Sequence, residues 1–380
     1  MRYRHLFSLL GLSVACSAQP FAIGSMSMSF YDADRDRDVT CDLHYPAATA
    51  GDDVPVNDGA FPVIVIGHGF VMSVDAYTYL WEHYAPLGYI VALPTTEAGF
   101  APDHSAFGAD IAFLASALAV ANEDGASAFY QHVAPSVVLM GHSMGGGAAF
   151  LGAAGDATLR ALVTFAPAET DPSAVAAAAL VQAPTLVFAA SEDCVTPIAD
   201  HSAPMYAAVT APCKAFVNIT GGGHCYFGDD SFTCSFGELT CGPDLSISRE
   251  QQHTVVTDIT DLWLRYHVLE DADAFTPLLD SLGSQARFIA ETTCLSTFMA
   301  GEEAADEQLS AWFAGERLVV EGCLPGERLV LMDGQGRTCW AGRTSTGSRE
   351  AVVPDVPSGA YVLFAEGGHR RRACRVPVVR

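Results

Sequence analysis

The chain has 380 residues, of which 50% are hydrophobic, and a formal net charge of −25. This length supports a large buried core and leaves room for a smaller second unit beside one domain of ordinary size. The strong negative charge excludes nucleic acid as an expected partner, because phosphate binding depends on clustered basic side chains.

The first 18 residues have the three regions of a secretory signal peptide. Basic residues come first, an apolar run follows at residues 6–15, and small residues continue to Ala18. Residues 1–18 are therefore assigned to a signal peptide, and the mature protein is expected to be secreted. A lipoprotein signal with Cys16 as the acylated residue is the alternative. No other apolar run is long enough to span a bilayer, so no transmembrane segment is expected.

A large α/β domain is predicted at residues 19–295. Residues 21–46 are extended, and buried strands alternate with helices after them. Predicted strands are the apolar runs at residues 61–66, 89–93, 136–140, 161–165 and 185–189, and predicted helices lie at residues 75–87, 107–121 and 248–266. Continuous apolar strands that alternate with helices are typical of a parallel sheet covered on both faces.

The pattern changes after Cys294 to short alternating strands separated by glycine turns. These strands are predicted at residues 317–321, 328–332, 351–353 and 361–365. They predict a separate small β-sandwich at residues 316–380, joined to the first domain by an acidic, alanine-rich linker at residues 296–315.

A nucleophile elbow is predicted at Ser143. Residues 141–145 read Gly-His-Ser-Met-Gly and lie between an apolar strand and a run of small residues. Glycines two positions before and after the serine allow a turn tight enough to expose its hydroxyl group. This context is typical of a serine hydrolase, and His142 is expected to be a packing residue of the elbow.

A serine nucleophile needs a histidine that takes its proton and an acid that orients this histidine. The acid is expected after the second strand beyond the nucleophile, where Glu192 and Asp193 compete. Asp193 is favoured because residues 194–197 would brace it. The histidine is expected in a loop before the last helix, and His224 follows three glycines there. The predicted catalytic residues are thus Ser143, Asp193 and His224.

An oxyanion hole needs two backbone amides, one after the nucleophile and one after an early strand. Met144 and Phe70 occupy these positions. The side chains of Val195, Tyr226 and Phe227 are predicted to line an apolar acyl site.

The spacing of Asp32, Asp34 and Asp36 is that of the start of a calcium-binding loop, but the rest of the segment does not match this pattern. Arg37 and Leu43 stand where such a loop needs glycine and glutamate. The predicted chemistry requires no metal and no organic cofactor.

Ten of the 11 cysteines lie beyond the predicted signal peptide. An even number of cysteines in an exported chain favours disulfides over a metal site, since paired Cys-x-x-Cys spacings are missing. Each disulfide is expected to contribute about 2 to 4 kcal/mol. The spacing leaves the pairing open.

Residues 21–294 resemble the α/β-hydrolase superfamily, and within it the secreted cutinase-like, dienelactone-hydrolase-like and PET-hydrolase-like esterases. The resemblance is carried by His-Gly-Phe at residues 68–70, the Asp-Arg-x-Arg-x-Val segment from Asp34, Ser-Met-Gly-Gly-Gly from Ser143, Asp193, and the cysteine after His224. It implies an oxyanion pair at Phe70 and Met144. It also implies that disulfides involving Cys194, Cys213, Cys225 or Cys241 link the Asp193 and His224 loops.

The resemblance implies a carboxylic ester hydrolase that acts on a small or polymeric ester, and the protein is expected to be a monomer. A polyester hydrolase or a cutinase or lipase is the alternative, and a silent binding module or a serine peptidase is less favoured. Polyester hydrolases of this kind carry a tryptophan just after the strand that follows the nucleophile helix. Residues 166–170 here read Ala-Pro-Ala-Glu-Thr. This departure argues against polyester activity.

Residues 317–380 resemble the C-terminal sorting domain of type IX secretion. The matching features are residues 329–337 and residues 358–362, followed by a basic end. The resemblance implies the type IX secretion machinery as a partner and a location outside the cell or on its surface. A carbohydrate-binding or substrate-binding module is the alternative.

Overall fold

The computed structural model of the protein describes the following parts of the chain: residues 20–283, 286–294, 310–314, 317–321, 328–333, 338–343, 350–352, 359–367 and 370–378. The predicted signal peptide lies outside them, as does most of the predicted linker.

A mixed sheet organises residues 20–294. Its strands are β1 (Ala22–Asp32), β2 (Arg37–Ala47), β3 (Gly51–Asp52), β4 (Phe61–Gly67), β5 (Ile90–Pro94), β6 (Val133–His142), β7 (Ala161–Phe165), β8 (Thr185–Ala190), β9 (Lys214–Ile219) and β10 (Phe288–Thr292). They lie in the order β10-β9-β8-β7-β6-β4-β5-β2-β1-β3. The strands from β9 to β5 are parallel, whereas β10 and the β1–β2 hairpin pair antiparallel with this centre.

Helices cover both faces of this sheet. They are α1 (Thr78–Tyr84), α2 (His104–Ala121), α3 (Met144–Ala153), α4 (Ala174–Ala178), α5 (Ser202–Ala208), α6 (Phe232–Leu239), α7 (Arg249–His267) and α8 (Phe275–Leu282). Phe107 of α2 and Phe150 of α3 belong to the core on one face, and Ile259 and Trp263 of α7 belong to the core on the other. A mostly parallel sheet between two helical layers confirms the predicted α/β-hydrolase fold.

Helix α2 is the described helix that is long and apolar enough to cross a membrane by length and composition alone. Its residues Phe107, Ile111, Leu114 and Leu118 are fully buried in the core against the sheet. Such burial is what a core helix of an α/β domain requires.

Two local predictions differ from the structure. The helix predicted at residues 75–87 is divided into a 3-10 segment at Val74–Tyr77, α1, and a second 3-10 segment at Ala85–Leu87. Pro86 lacks the amide that would continue α1. Strand β9 was not predicted, because polar Lys214 and Asn218 interrupt its apolar residues.

The C-terminal strands form two antiparallel sheets. One contains β11 (Ser310–Ala314), β12 (Arg317–Glu321) and β15 (Glu350–Val352), and the other contains β13 (Arg328–Asp333), β14 (Thr338–Arg343), β16 (Gly359–Gly367) and β17 (Arg370–Val378). Leu318 and Val320 of the first sheet share an apolar core with Leu331 and Leu363 of the second. Two sheets with a common core are the arrangement of a β-sandwich. Strand β11 falls within the stretch predicted as linker.

Candidate active site

Ser143 stands in the turn between β6 and α3, at the carboxyl end of the parallel strands. Its φ of 55° and ψ of −121° lie in a region that residues other than glycine rarely adopt. A Cβ atom at Gly141 would lie 2.1 Å from the Gly145 carbonyl oxygen, and one at Gly145 would lie 2.2 Å from the Gly67 carbonyl oxygen. The turn has the tight backbone predicted for a nucleophile elbow, and only glycine fits at its two flanks.

Backbone hydrogen bonds from the next strand hold this turn. The Ser143 amide donates to the Phe165 carbonyl oxygen at 3.0 Å, and the Ala168 amide donates to the Ser143 carbonyl oxygen at 2.8 Å. Gly147 packs on the same loop, where an added Cβ atom would lie 2.1 Å from the Ala168 carbonyl oxygen. The strained turn is therefore fixed by its neighbours.

Asp193 and His224 form a buried pair at the ends of β8 and β9. The His224 Nδ1 atom lies 2.8 Å from Asp193 Oδ2, and the two side chains are only 2% and 1% exposed. The carboxylate of Glu192 instead accepts a hydrogen bond from the Ser191 hydroxyl group at 3.0 Å. The structure thus brings Asp193, and not Glu192, against the histidine.

Thr196 completes this pair and was not named as a site residue from the sequence. Its hydroxyl oxygen lies 2.8 Å from Asp193 Oδ2 and 3.0 Å from His224 Nδ1, and its amide donates to Asp193 Oδ1 at 2.8 Å. The bracing expected from residues 194–197 is present. With oxygen atoms around Nδ1, the proton of a neutral His224 ring belongs there, which leaves Nε2 able to accept one.

Helix α7 holds the loop that carries His224. The buried Gln252 side chain accepts from the Gly223 amide at 3.0 Å and donates to the Gly223 carbonyl oxygen at 2.9 Å. Arg249 donates to the Gly228 carbonyl oxygen at 2.6 Å and stacks 4.6 Å above the Tyr226 ring. The sequence predicted this helix but gave no signal for these two contacts.

Three disulfides are present among the described residues, and two of them flank the buried pair. The bonds are Cys194–Cys241, Cys225–Cys234 and Cys213–Cys294. Cys194 follows Asp193, and Cys225 follows His224, so each loop is tied to α6 or to the turn after it. The expected link between the loops therefore runs through α6. The third bond joins the residue before β9 to the second residue after β10.

The predicted oxyanion residues follow two neighbouring strands of the sheet, β6 and β4. Met144 is the first residue of α3, so its amide is one of those without an acceptor inside the helix. Phe70 follows β4, and its side chain is 50% exposed.

The predicted acyl-site residues have three different environments. Val195 is 38% exposed, and Tyr226 is half-buried beneath Arg249. Phe227 is fully buried and packs against Phe165, with 6.1 Å between the ring centroids. The prediction that Phe227 lines an acyl site needs correction, because the 3-10 turn after His224 directs this ring into the core.

In the part of the chain that the structure describes, one group of three candidate metal ligands lies close together: Cys213, His267 and Cys294. The two sulfur atoms are bonded to each other. A disulfide does not offer the thiolates that a Cys/His metal site uses. The turn at Asp32 is occupied by Arg35, which lies 2.5 Å from the Asp32 carboxylate.

The family profile described as "PETase: PET hydrolase-like" matches residues 13–236, which include Ser143, Asp193 and His224. The chain belongs to the PET hydrolase-like family. This assignment agrees with the resemblance found in the sequence and with the α/β-hydrolase fold.

Individual curated proteins are also similar to parts of this chain. "Cutinase est2" from Thermobifida alba is 28% identical over 173 residues, 45% of this chain and 55% of its own length. The "Bis(hydroxyethyl) terephthalate hydrolase" of Streptomyces coelicolor is 26% identical over 186 residues, 48% of this chain and 54% of its own length. "Cutinase 2" from Thermobifida cellulosilytica is 27% identical over 173 residues, 45% of this chain and 63% of its own length. The chain spans little more than half the length of the curated relatives it matches.

Proposed function

We propose that this protein is a serine hydrolase that cleaves carboxylic esters through an acyl-enzyme on Ser143. The observation that carries the proposal is the strained Ser143 elbow at the same sheet edge as the buried Asp193–His224 pair. Membership of the PET hydrolase-like family supports it independently.

In the proposed first step, His224 Nε2 takes the proton of the Ser143 hydroxyl group while its oxygen attacks the ester carbonyl carbon. Asp193 and Thr196 keep the Nδ1 proton in place and stabilise the imidazolium that forms. The amides of Phe70 and Met144 donate to the oxyanion. Collapse of the tetrahedral intermediate passes the proton from His224 to the leaving alcohol.

The second step releases the acid. His224 takes a proton from water, the hydroxide attacks the acyl carbon, and the proton returns to the Ser143 oxygen. This sequence uses protein groups and water alone.

Hydrolysis of p-nitrophenyl esters from acetate to palmitate tests the proposal, with Ser143→Ala beside the wild type. We expect turnover by the wild type and none above background by the variant. A short-chain optimum indicates an esterase and a long-chain optimum a lipase or cutinase. If neither protein turns over any ester of the series, the proposal is wrong for simple esters.

The assignment of Asp193, and not Glu192, as the catalytic acid is tested by comparing Asp193→Asn with Glu192→Gln. We expect Asp193→Asn to lower kcat about 10⁴-fold, because the amide favours the wrong histidine tautomer. Glu192→Gln is expected to change kcat less than about twofold, since its carboxylate bonds the Ser191 hydroxyl group and not the histidine. Equal losses in both variants would contradict the assignment.

A polymeric or aromatic ester is the second candidate substrate, which the relatives' names suggest. Helix α6 supports it, since Phe232, Phe236 and Leu239 are 84%, 61% and 79% exposed. Thr233 attaches this helix to the loop after Phe70 through a 3.0 Å hydrogen bond to the Val71 carbonyl oxygen. An exposed apolar surface of this kind is typical of a contact site.

The double variant Phe232→Ser with Phe236→Ser tests this candidate. We expect slower hydrolysis of an insoluble polyester film and an unchanged rate on p-nitrophenyl acetate. Equal rates on film in wild type and variant would exclude a role for α6 in polymer contact.

We further propose that the protein is exported and that its C-terminal sandwich directs type IX secretion. The sorting-domain resemblance and the sandwich formed by strands β11 to β17 support this proposal. Deletion of residues 316–380 is expected to retain the catalytic domain in the periplasm. Normal export of the truncated chain would instead favour a binding module.

A further inference from the structure

His142, the residue before the nucleophile, is fully buried and has a partner on each ring nitrogen. Its Nε2 atom lies 3.1 Å from the His224 carbonyl oxygen, and its Nδ1 atom lies 2.9 Å from the Tyr77 hydroxyl oxygen. The sequence suggested only a packing role for this residue. Its hydrogen bonds connect it to the main chain of the proposed catalytic histidine.

The donors and acceptors of these contacts follow from the protonation states. Burial lowers the pKa of His142 well below its usual range, and the nearby His224 lowers it further. A neutral imidazole carries one proton, and a carbonyl oxygen can only accept, so the proton is on Nε2. The Nδ1 atom must then accept from the Tyr77 hydroxyl group, whose pKa burial raises.

Tyr77 continues the series of hydrogen bonds to the loop after β4. The Gly69 amide donates to the Tyr77 hydroxyl oxygen at 2.8 Å. The Met72 sulfur lies 3.4 Å from the same oxygen, but a thioether is a weaker acceptor than an imidazole nitrogen. Gly69 directly precedes Phe70, the proposed oxyanion donor. The four groups from the Gly69 amide to the His224 carbonyl are called the relay below.

We propose that Tyr77 and His142 are positioning residues that hold the oxyanion loop in register with the catalytic histidine. This inference rests on the proposed function. An oxyanion donor is effective only within about 2.7 to 3.1 Å of the charge that develops. Phe70 lies on a half-exposed loop, and the relay connects the residue before it to the buried His142.

Tyr77→Phe tests the relay because it removes one oxygen atom and leaves the ring. We expect kcat for p-nitrophenyl acetate to fall about tenfold and KM to change less than about twofold, since a misplaced oxyanion donor weakens only the transition state. Unchanged kcat, or a raised KM with unchanged kcat, would overturn the proposal.

Tyr45→Phe is the matched control. Tyr45 is also fully buried, and its hydroxyl group donates to the Val54 carbonyl oxygen at 2.7 Å in the core on the other face of the sheet. Tyr77→Phe loses the hydrogen bonds to the Gly69 amide and to His142, whereas Tyr45→Phe loses one, so we expect the larger decrease in melting temperature in Tyr77→Phe. A loss of kcat as large in Tyr45→Phe as in Tyr77→Phe would show a general effect and contradict the relay.

A double-mutant cycle with His142→Asn tests whether the two side chains act together. We expect the double variant to lose no more kcat than the worse single variant, because either change interrupts the same connection. Losses that multiply would overturn the coupling.

A measurement without turnover separates this inference from the proposed function. If the wild type hydrolyses no ester, the function fails, and ¹⁵N NMR of the histidines still reports the relay. We expect the neutral Nε2–H tautomer at His142 and an Nδ1 signal that moves in Tyr77→Phe but not in Tyr45→Phe. The opposite tautomer would overturn the relay itself.

Discussion

The elbow and the loops that carry the acid and base lie at one edge of the sheet but are fixed in different ways. Ser143 is placed by backbone contacts with the neighbouring strands, which glycines next to it in the sequence allow by letting α3 meet β4 and β6. Asp193 and His224 depend on partners from several segments of the chain: two disulfides, Gln252 of α7 and the hydroxyl group of Thr196. The glycines that allow the elbow lie within two residues of Ser143 in the sequence, whereas the acid–base pair is brought together by tertiary structure.

The largest effect is expected where the locally encoded elbow is broken. In Gly145→Ala the new Cβ atom would lie 2.2 Å from the Gly67 carbonyl oxygen and 2.5 Å from that of His68. Backbone must move to accept it, so we expect a loss of at least about 3 kcal/mol of stability, measured by denaturant unfolding. Gly125→Ala, where an added Cβ atom meets nothing within 4 Å, is the control. Comparable stability of the two variants would contradict a sterically fixed elbow.

The tertiary assembly of the acid–base loops can be tested by removing disulfides in pairs. Cys213 and Cys294 are 81 residues apart and Cys225 and Cys234 only 9. Loop entropy predicts losses of about 4.5 and about 2.5 kcal/mol when each pair becomes alanine. The loss of activity should be larger for the Cys225–Cys234 pair, since of these two pairs it is the one that adjoins His224.

The measurements are thermal unfolding and kcat on p-nitrophenyl acetate below the unfolding transition. We expect kcat of the Cys225→Ala, Cys234→Ala variant to fall about tenfold, because catalytic groups lose alignment. The Cys213→Ala, Cys294→Ala variant should retain the wild-type kcat. A greater loss of activity in the variant without Cys213 would show that α6 does not position the base.

The same contrast explains how much of the site could be predicted. The glycines around Ser143 lie within two residues of it, so the sequence reveals the elbow. The parallel strands other than β9 are also evident, because their apolar runs are continuous. Gln252 and Thr196 contact partners 29 and 28 residues away, and Tyr77 meets His142 across 65 residues. No local pattern marks such contacts.

Phe227 shows a second limit of the sequence. An apolar residue after the triad histidine suits either a substrate wall or the core, and composition cannot separate the two. In the structure, the 3-10 turn at Cys225–Phe227 places the Phe227 ring in the core. The tail shows a similar limit, since β11 begins within residues that resemble a linker in composition.

A further effect concerns acid stability away from both regions. Burial lowers the pKa of His44 to about 4 and that of His267 to about 3. Both rings stay neutral in the folded protein, whereas the unfolded chain binds protons below about pH 6.5. The contribution of these two histidines to the free energy of unfolding is therefore fully present above pH 6.5. It decreases as the pH falls toward the two folded pKa values, by at most about 1.4 kcal/mol per pH unit for each histidine.

His267→Gln should flatten this dependence, as measured by urea unfolding between pH 4 and pH 7. His132→Gln is the control, because its ring bonds the Gly59 carbonyl oxygen at the exposed surface. An equal slope in the wild type and in His267→Gln would exclude His267 as a source of acid instability.

Covalent labelling tests the central claim, that Ser143 is the nucleophile, most directly. The protein is incubated with a fluorophosphonate, and the adduct is located by mass spectrometry of its peptides. The proposed mechanism predicts one adduct, on Ser143, with none in Ser143→Ala and slower labelling in Asp193→Asn. An adduct on another residue, or an unlabelled protein that still hydrolyses esters, would contradict it.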